Sequence, residues 1–348
     1  MSTPSVVSDV KPKVEYHRLG KCGLRVSVPI LGAMSFGDPR WASWVIEEDK
    51  ALEVLKAAWD RGINTIDTAN HYSNGVSEEI VGKFIRKYDI PRHKIIILTK
   101  CFFPVPAEPE MHAWEHPELQ QTRDYVNQAG LSRQGIFNQV EVSLQRLGTD
   151  YIDLLQVHRY NSDTTPEETM EAFHDLIKAG KIRYIGASSM WTWQFALLNA
   201  TAERHGWTKF VSMQNQYSLL YREEEREMIA YCNHQGIGLI PYGALSAGVL
   251  ARPAGTETAR TIHDGGSGSL SLADLEIIKR LEEIALKKGW KMSHVALAWV
   301  MSKVASPIVG ISTIGRVDDA IVSDKKLSTD EIEYLEEPYV PKEIQGFA

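Results

Sequence analysis

Apolar residues fall along this chain in two alternating patterns. Short runs that are apolar at nearly every position, typical of strands buried on both faces, alternate with longer segments in which apolar residues recur every three or four positions, typical of amphipathic helices. The strand-like runs number eight and are centred near Leu31, Ile66, Ile97, Leu154, Ile185, Ser212, Ile240 and Val309. Eight strands that alternate with helices favour an α/β fold, a closed (β/α)8 or TIM barrel.

The limits of these segments predict the individual elements. Strands are expected at residues 30–36, 65–67, 94–100, 152–158, 182–188, 210–214, 238–242 and 307–311. Helices are expected at residues 47–59, 77–88, 132–147, 166–178, 192–205, 222–234, 272–288, 293–304, 317–322 and 328–335, with Ser77 as the N-cap of the second. An N-terminal β-hairpin is expected before the barrel, because short runs at 15–20 and 24–29 flank the turn Lys21-Cys22-Gly23.

An open, doubly wound sheet is the alternative fold with the same alternation of strands and helices. That fold usually marks its nucleotide site with a GxGxxG motif after the first strand, and the motif is missing from this sequence. The 348 residues could hold two domains, but one barrel can also fill this length. We therefore expect a single barrel domain over residues 14–348, preceded by a flexible polar tail over residues 1–13.

Composition argues against several kinds of partner. The net charge of −7 argues against nucleic acid or an anionic membrane surface. The chain lacks a run of about 18 apolar residues that would predict a transmembrane helix, and its first residues lack the apolar core of a signal peptide. Cys22, Cys101 and Cys232 are scattered and form no CxxC motif, so we expect reduced thiols and a cytoplasmic protein.

Two polar segments are not expected to be functional sites. His112 and His116 lie four residues apart in HAWEH, but this is not HExxH and the neighbouring prolines weaken a helix, so no metal site is expected. The run REEERE at residues 222–227 is interpreted as the solvated face of a helix.

Polar residues gather at the predicted strand ends. If the barrel closes, all eight C-terminal strand ends meet at one mouth, where the catalytic residues of such barrels lie. Asp67, Lys100 and His158 end their strands, and Tyr72 lies on the loop after the second strand. The other residues at these ends are Gly32, Ala33, Met34, Ser188, Ser189, Gln214, Tyr242, Gly310, Ile311 and Ser312.

Asp67, Tyr72, Lys100 and His158 together make a site that can protonate an oxyanion. A phenol titrates near ~10, but a nearby ammonium favours the phenolate, so Lys100 is expected to lower the pKa of Tyr72. Asp67 would hold the ammonium in place, and His158 could orient the substrate oxygen. Conversion of a carbonyl to an alcohol also needs a hydride, which side chains do not supply, so a nicotinamide cofactor is expected.

The same stretches resemble a known family. IDTANHYSNGVSEEIVG, ILTK, IDLLQVH, GKIRYIGASS, MQNQYSLLYR, IPYGALSAGVL and PIVGIS occur in this order. Over about residues 16–322 the chain is similar to the aldo-keto reductase superfamily, and in detail to its fungal branch of aryl-alcohol dehydrogenases and versiconal-type reductases. The resemblance implies a TIM barrel that binds NADP(H) in an extended pose and reduces a small-molecule carbonyl substrate. It places the catalytic tetrad on Asp67, Tyr72, Lys100 and His158, with Tyr72 as the general acid.

The resemblance also implies where the cofactor is bound. The nicotinamide carboxamide would meet Ser188, Ser189 and Gln214, with Tyr242 stacked on the ring. The pyrophosphate would lie against the loop 243–250, which contributes Gly243, Ala244, Leu245, Gly248 and Leu250. Ser312 and Arg316 match positions near the 2′-phosphate, and Asp319 matches a position at the adenine. The remaining expected contacts lie at the strand ends and are Gly32, Ala33, Met34, Asp67 and Gly310.

Two departures from the family pattern affect these expectations. Ser189 stands where many members have Asn or Arg, which weakens the case for its carboxamide contact. PIVGIS lacks the lysine that several branches place near the 2′-phosphate, so the preference for NADP(H) rests on Ser312 and Arg316.

A second function stays open beside carbonyl reduction. The β subunits of voltage-gated potassium channels resemble this family and act mainly as partners, so a non-catalytic NADP-binding regulatory subunit is the alternative. Those subunits replace the tetrad histidine, whereas His158 is present here. Trp41, Trp44, Phe102, Phe103 and Trp114 are expected near the mouth, where they either line an apolar pocket for an aryl or bulky substrate or simply cover the barrel. The sequence defines neither the oligomeric state nor the substrate.

Overall fold

The structure is a computed structural model that describes residues 13–256 and 270–347. The expected tail lies outside the described residues except for its last residue, and so does most of the Gly/Ser-rich stretch before residue 272. The described chain begins with the expected hairpin, β1 (Glu15–Arg18) and β2 (Arg25–Val28), paired antiparallel. Its turn lies at the N-terminal end of the barrel, where Lys21 N donates to Gly236 O over 2.7 Å. Leu19 in this turn is fully buried in the cluster that plugs this end.

Eight parallel strands form one sheet within the described residues. They are β3 (Ile30–Gly32), β4 (Thr65–Asp67), β5 (Ile96–Cys101), β6 (Ile152–Val157), β7 (Ile182–Ser188), β8 (Ser212–Gln214), β9 (Gly238–Leu239) and β10 (Ile308–Gly310). From β3 to β9 each strand pairs with the next in chain order, and β10 returns to pair with β3. Just beyond β9, Pro241 O accepts a 2.8 Å hydrogen bond from Ile308 N, and Leu239 O accepts one from Ala305 N. These bonds join the two outer strands, so the predicted (β/α)8 barrel is confirmed and the open sheet is not formed.

Ten helices accompany the strands in the described part of the chain. They are α1 (Glu48–Asp60), α2 (Val76–Lys87), α3 (Arg133–Leu147), α4 (Pro166–Lys178), α5 (Thr192–His205), α6 (Met228–Gln235), α7 (Leu272–Lys288), α8 (Met292–Met301), α9 (Ile314–Ala320) and α10 (Thr329–Glu336). Each strand from β3 to β8 is followed by one helix, so the loops at the C-terminal strand ends all open at the same mouth.

Several element limits differ from the sequence-based expectation: the strand expected at 238–242 ends at Leu239, and the helices expected at 293–304 and 317–322 run over Met292–Met301 and Ile314–Ala320. Three further differences lie closer to the polar strand ends. The first barrel strand ends at Gly32 rather than at residue 36, because the chain turns at once and Phe36 N bonds to Ala33 O. The predicted helix 222–234 is split into a 3₁₀ turn, Glu223–Glu225, and the shorter α6. Ser77 lies inside α2 instead of capping it, and its hydroxyl donates to Ala33 O over 2.8 Å. Ser77 therefore ties α2 to the first strand.

Candidate active site

The segment after β4 forms a tight, strained turn that carries Tyr72. Asp67 is the last residue of β4, and Tyr72 begins a 3₁₀ turn that runs to Gly75. Ser73 and Asn74 have φ angles of 46° and 50°, in the left-handed region that residues with a Cβ rarely adopt. Backbone strain of this kind persists only where the surroundings fix it, and it clusters at functional sites.

Helix α3 and the long segment after β5 hold this turn. Asn70 Nδ2 donates to Gln139 Oε1 on α3 over 3.1 Å, and Arg146 Nη1 donates to Asn70 O over 3.0 Å. From the other side, Asn74 Nδ2 donates to Met111 O over 2.9 Å. The position of Tyr72 is thus fixed by contacts from elements far away in the sequence.

Lys100, near the end of β5, joins the strand ends to Tyr72. Its Nζ lies 2.5 Å from Asp67 Oδ1, 2.9 Å from Thr68 O and 3.1 Å from Tyr72 Oη. The side chain of Lys100 is fully buried and that of Asp67 nearly so. An ammonium has three hydrogens to donate, and each has an acceptor here. The buried charge is therefore paired and fully hydrogen-bonded, as burial requires.

His158 lies directly after β6 and completes the group. Its ring centroid is 5.9 Å from that of Tyr72, and its backbone N–H donates to Cys101 O over 3.0 Å. The three residues singled out at strand ends and Tyr72 on the adjoining loop are thus brought together at one end of the barrel. A second imidazole, that of His71, packs 4.8 Å from His158 and 5.1 Å from Tyr72, and sequence reasoning did not single it out.

Burial dominates the titration of this group. The pKa of the Tyr72 phenol is raised above its ordinary value by burial, and the opposing effect of the Lys100 ammonium does not overcome it. Lys100 does act to lower this pKa, as expected, but burial is the larger effect and the net pKa of the phenol is raised. Burial also acts to lower the pKa of Lys100, but Asp67 and Tyr72 reverse this and raise it. The site thus holds a neutral phenol against a charged ammonium.

Both imidazoles are held neutral. Burial, together with the charges of Lys100 and Arg159, lowers the pKa of His71 to about 3. Burial and the neighbouring His71 place the pKa of His158 well below its ordinary value. A neutral imidazole retains one N–H donor and one acceptor nitrogen. His158 can therefore offer a hydrogen bond to a substrate oxygen without carrying a charge.

The opposite wall of the mouth is built from β7, β8 and the residues after β9. Ser188 Oγ donates to Gln214 O over 2.7 Å, and the Ser189 hydroxyl lies 3.3 Å from that of Tyr242. Ser189 has a φ of 43°, and its backbone N–H donates to Asn215 Oδ1 over 3.0 Å. Asn215 was not predicted, yet it holds the strained backbone of Ser189 in place.

A large cavity of about 960 Å³ continues from this wall across the mouth. Eight of the predicted cofactor residues line it, and these are Gly243, Ala244, Leu245, Gly248, Gly310, Ser312, Arg316 and Asp319. A pocket of this size is within the range of small-molecule and cofactor sites. Of the residues that the resemblance assigned to the pyrophosphate and adenosine, all but Leu250 are thus brought to one cavity.

The rest of the predicted set is not part of the cavity lining. Gly32 and Ala33 lie in the barrel wall, where a Cβ on Gly32 would come within 2.9 Å of the Ile308 side chain. Met34 packs against a small apolar cluster around Trp41, and the side chain of Leu250 is fully buried in the core. The cavity is also not lined by Asp67, Ser188, Ser189, Gln214 or Tyr242.

Cations other than the predicted Arg316 also line the cavity, and sequence reasoning did not single them out. Lys291, which precedes α8, places its Nζ 2.6 Å from Asp319 Oδ1. Arg316 Nη1 donates to Ser312 Oγ over 2.6 Å. Arg252 lines the same cavity from the loop after β9. PIVGIS lacks a lysine, but the start of α8 brings one to this cavity from about 20 residues upstream.

Comparison with known proteins agrees with this geometry. The aldo/keto reductase family model matches residues 30–339. The chain belongs to the aldo-keto reductase family. It is 53% identical over 347 residues to an aldo-keto reductase of Fusarium vanettenii, covering 97% of this chain and 94% of that protein.

Two further relatives carry more specific names. Versiconal hemiacetal acetate reductase of Aspergillus parasiticus is 49% identical over 339 residues, 95% of this chain and 98% of the relative. A putative aryl-alcohol dehydrogenase of Schizosaccharomyces pombe is 49% identical over 357 residues, 98% of this chain and 99% of the relative. The predicted resemblance is therefore confirmed, and membership of the family indicates an oxidoreductase that acts on small-molecule carbonyl compounds with a nicotinamide cofactor.

The long segment after β5 packs its aromatic residues onto the catalytic end of this aldo-keto reductase. Phe103 lies 4.8 Å from His71 and 5.4 Å from His158, measured between ring centroids. Farther out, Trp114 lies 5.9 Å from both His71 and Trp41. The aromatics expected near the mouth thus form a continuous set of ring contacts that begins beside Tyr72.

Other features of the described residues bear on function only indirectly. Cys101, next to Lys100, is buried, which raises the pKa of its thiol to about 12, so it is an inert spectator. Across the described ranges, no helix is long and apolar enough to cross a bilayer. Those ranges also contain no group of three or more His, Cys, Asp or Glu side chains that could hold a metal ion.

The run REEERE is not a solvated helix face. Glu223 and Glu224 are each only 5% exposed, because the 3₁₀ turn packs Glu224 against Asn215 and Glu223 against the C-terminal segment at Tyr339. Asn215 donates to Glu224, and Asn215 in turn supports Ser189. Burial raises the pKa of Glu224 to about 7, and the hydrogen bond from Asn215 only partly opposes this.

The buried Glu224 predicts a pH-dependent loss of stability. Its pKa rises from 4.5 to about 7 on folding, so over that range the folded state keeps a proton that the unfolded state releases, and stability falls as pH rises. Glu224→Gln removes this titration and keeps an acceptor for Asn215. We expect the variant to gain about 2 kcal/mol over the wild type between about pH 5 and pH 8, measured by urea unfolding. The exposed control Glu227→Gln should show no such change, and a pH-independent gap for Glu224→Gln would contradict the prediction.

Proposed function

We propose that this aldo-keto reductase catalyses the NADPH-dependent reduction of aldehydes or ketones, with aryl or other bulky carbonyl compounds as substrates and Tyr72 as the proton donor. The observation that carries the proposal is the contact of one buried ammonium, that of Lys100, with both Asp67 Oδ1 and Tyr72 Oη. This contact lies beside the neutral imidazole of His158, at the mouth of the barrel. These groups suit protonation of an oxygen on which negative charge develops.

The cavity of about 960 Å³ has the volume of a cofactor site and is proposed to hold the pyrophosphate and adenosine end of a dinucleotide phosphate. Gly243 and Gly248 both line the cavity, with φ angles of 76° and 94° that glycine adopts without steric cost. Lys291, Arg252 and Arg316 supply positive charge for phosphates. NADPH, when bound, would supply the hydride for carbonyl reduction.

The proposed mechanism assigns one physical task to each residue. Tyr72 donates its hydroxyl proton to the substrate oxygen and is left as a phenolate. The Lys100 ammonium then neutralises that phenolate across the 3.1 Å contact. Asp67 keeps Lys100 charged and in position, and His158 orients the carbonyl oxygen. Proton donation by a positioned group of this kind contributes roughly 10²–10⁴ in rate.

The aromatic set around the mouth supports an aryl substrate. A flat, apolar substrate that reaches Tyr72 would lie against Phe103, His71 and Trp114, which already pack on one another. Offset and edge-to-face ring contacts add about 0.5–1.5 kcal/mol per pair beyond the burial of apolar area. The names of the aryl-alcohol dehydrogenase and versiconal relatives fit the same substrate class. We also propose a cytoplasmic location, since all three cysteines are free.

The test is direct turnover by the purified protein. With NADPH and a panel of substituted benzaldehydes and aryl ketones, we expect loss of NADPH absorbance and formation of the matching alcohol. NADH should be used more slowly. A protein that binds NADP(H) but oxidises none of it with any carbonyl compound, beside an active control enzyme, would contradict the proposal and favour the regulatory-subunit alternative.

Substitution of Arg316 is expected to change the preference for NADPH over NADH. The proposal pairs its guanidinium, already held to the Ser312 hydroxyl, with the 2′-phosphate that NADPH has and NADH lacks. Loss of a hydrogen bond to a charged group corresponds to a factor of roughly 10 or more. We therefore expect Arg316→Ala to raise KM for NADPH by about that factor and to leave KM for NADH nearly unchanged. Arg204→Ala, on the exposed face of α5, is the matched control; equal effects on both cofactors would contradict this role for Arg316.

A further inference from the structure

Gln156 is a fully buried polar residue in the middle of the barrel wall. It lies on β6, two residues before His158, and its register partner on β7 is Gly186. A Cβ on Gly186 would come within 3.3 Å of the Gln156 side chain, so the glycine leaves room for it. A buried amide costs free energy unless its hydrogen bonds are satisfied, which makes the partners of Gln156 informative.

Those partners form a closed ring of hydrogen bonds with two site residues. Gln156 Nε2 donates to Asp67 Oδ2 over 2.9 Å. Gln214 Nε2 donates to the same carboxylate oxygen over 2.9 Å and to Gln156 Oε1 over 2.8 Å. The two oxygens of Asp67 therefore have different partners: Oδ1 accepts from the Lys100 ammonium, and Oδ2 accepts from the two amides.

The ring fixes the orientation of the Gln214 side chain. Both hydrogens on its Nε2 are committed, one to Asp67 and one to Gln156. Its carbonyl oxygen is then the atom left to accept a hydrogen bond from a bound group. Without Gln156 Oε1 as an acceptor, the Gln214 amide could turn over and present its NH₂ instead.

The ring also fixes the Asp67 carboxylate. Two neutral donors on Oδ2 hold the carboxylate plane so that Oδ1 faces Lys100. A rotation of this plane would lengthen the Lys100 contact and so change how the ammonium meets Tyr72. Gln156 is thus hydrogen-bonded directly to Asp67, which positions Lys100, and to Gln214, which is expected to meet the nicotinamide carboxamide.

We propose that Gln156 is a positioning residue that couples the acid–base group to the nicotinamide end of the cofactor site, through Asp67 on one side and Gln214 on the other. The inference rests on the proposed carbonyl reduction. It assigns to Gln214 the role of acceptor toward the carboxamide NH₂. Gln156 itself touches neither substrate nor cofactor.

Two substitutions separate this role from simple packing. Gln156→Leu keeps much of the volume and removes both hydrogen bonds. Gln156→Glu keeps the shape and restores the ring only when the new carboxyl is protonated, because its O–H can then donate to Asp67 while its C=O accepts from Gln214. At higher pH the ionised form would face Asp67 as a like charge. Asn199→Leu is the control, since Asn199 is another buried amide whose Oδ1 accepts from Phe210 N, away from the mouth.

The expected results cover binding and turnover. By calorimetry, we expect Gln156→Leu to weaken the binding of NADP⁺ by roughly 5-fold or more. Adenosine 2′,5′-bisphosphate lacks the nicotinamide, so we expect the variant to bind it as tightly as the wild type does. We expect kcat of this variant to fall by about 10-fold with a smaller change in substrate KM. For Gln156→Glu, the activity relative to wild type should rise as pH falls. Circular dichroism checks that all variants fold.

Two results would overturn the inference. One is that Gln156→Leu weakens the binding of NADP⁺ and of the bisphosphate by the same factor. The other, in an active wild type, is a ratio of Gln156→Glu to wild-type activity that does not change with pH. If the wild type reduces no carbonyl compound, the proposed function fails, and the comparison of the two ligands still decides whether Gln156 orders the nicotinamide end.

Discussion

Replacement of Tyr72 by Phe is expected to lower kcat by a factor of roughly 10²–10⁴, because it removes the one group placed to protonate the product oxygen. The ring itself stays, so its packing against His71 and the 4.8 Å contact with the Lys100 ammonium are preserved. The substitution should therefore leave the fold intact. The affinity for NADP⁺ should stay within about 2-fold of the wild-type affinity, since the hydroxyl contributes little to cofactor binding.

Steady-state turnover and calorimetric binding of NADP⁺ are the measurements. Tyr16→Phe is the matched control, because Tyr16 also loses a hydrogen-bonded hydroxyl, to Gly62 O at 2.6 Å, but lies near the opposite end of the barrel. The control should turn over like the wild type. Turnover by Tyr72→Phe at the wild-type rate would remove Tyr72 as the acid.

Lys100→Met is expected to cost stability as well as activity. The substitution leaves Asp67, 2% exposed, as a buried carboxylate without its counter-charge. Breaking a buried ion pair by removal of one partner costs about 3–5 kcal/mol, and the two amides that remain on Asp67 place this case near the lower value. The raised pKa of Lys100 means that its stabilisation is complete at neutral pH and declines only as alkaline pH deprotonates it.

Urea unfolding and turnover of single and double variants separate the loss of stability from the loss of activity. Asp67→Asn combined with Lys100→Met should recover much of the stability, because no buried charge is left unpaired, and should recover no activity. Lys83→Met is the control, since Lys83 makes a 2.7 Å ion pair with Glu48 whose partners are both more than 40% exposed. Such surface pairs contribute less than about 1 kcal/mol. Equal costs for Lys83→Met and Lys100→Met would contradict the account of the buried pair.

The barrel could be predicted from sequence because each of its strands is buried on both faces. Such strands appear as short apolar runs, and the fold rules then bring their polar ends to one mouth. This reasoning alone locates Asp67, Lys100 and His158, without reference to any family. Element limits were less accurate, since the end of the first strand at Gly32 and the start of α2 at Val76 depend on tertiary contacts of the Tyr72 turn.

The electrostatic state of the site could not be predicted in the same way. Whether the pKa of Tyr72 rises or falls depends on how deeply the surrounding loops bury it, and burial outweighs the Lys100 charge here. Gln156 was missed because it lies before a strand end, where a lone polar residue in an apolar run gives no sign of its partners. Lys291 was missed because a helix start brings it to the cavity from a segment outside the motifs.

The most direct test of the central claim is a crystal structure of the protein with NADP⁺ and an aryl aldehyde or its inhibitory analogue. The account predicts the carbonyl oxygen within hydrogen-bond distance of both Tyr72 Oη and His158, and the nicotinamide against Tyr242. It also predicts the carboxamide NH₂ at Gln214 and the 2′-phosphate at Arg316. A cofactor bound with its nicotinamide away from Tyr72, or a carbonyl oxygen out of reach of that hydroxyl, would contradict it.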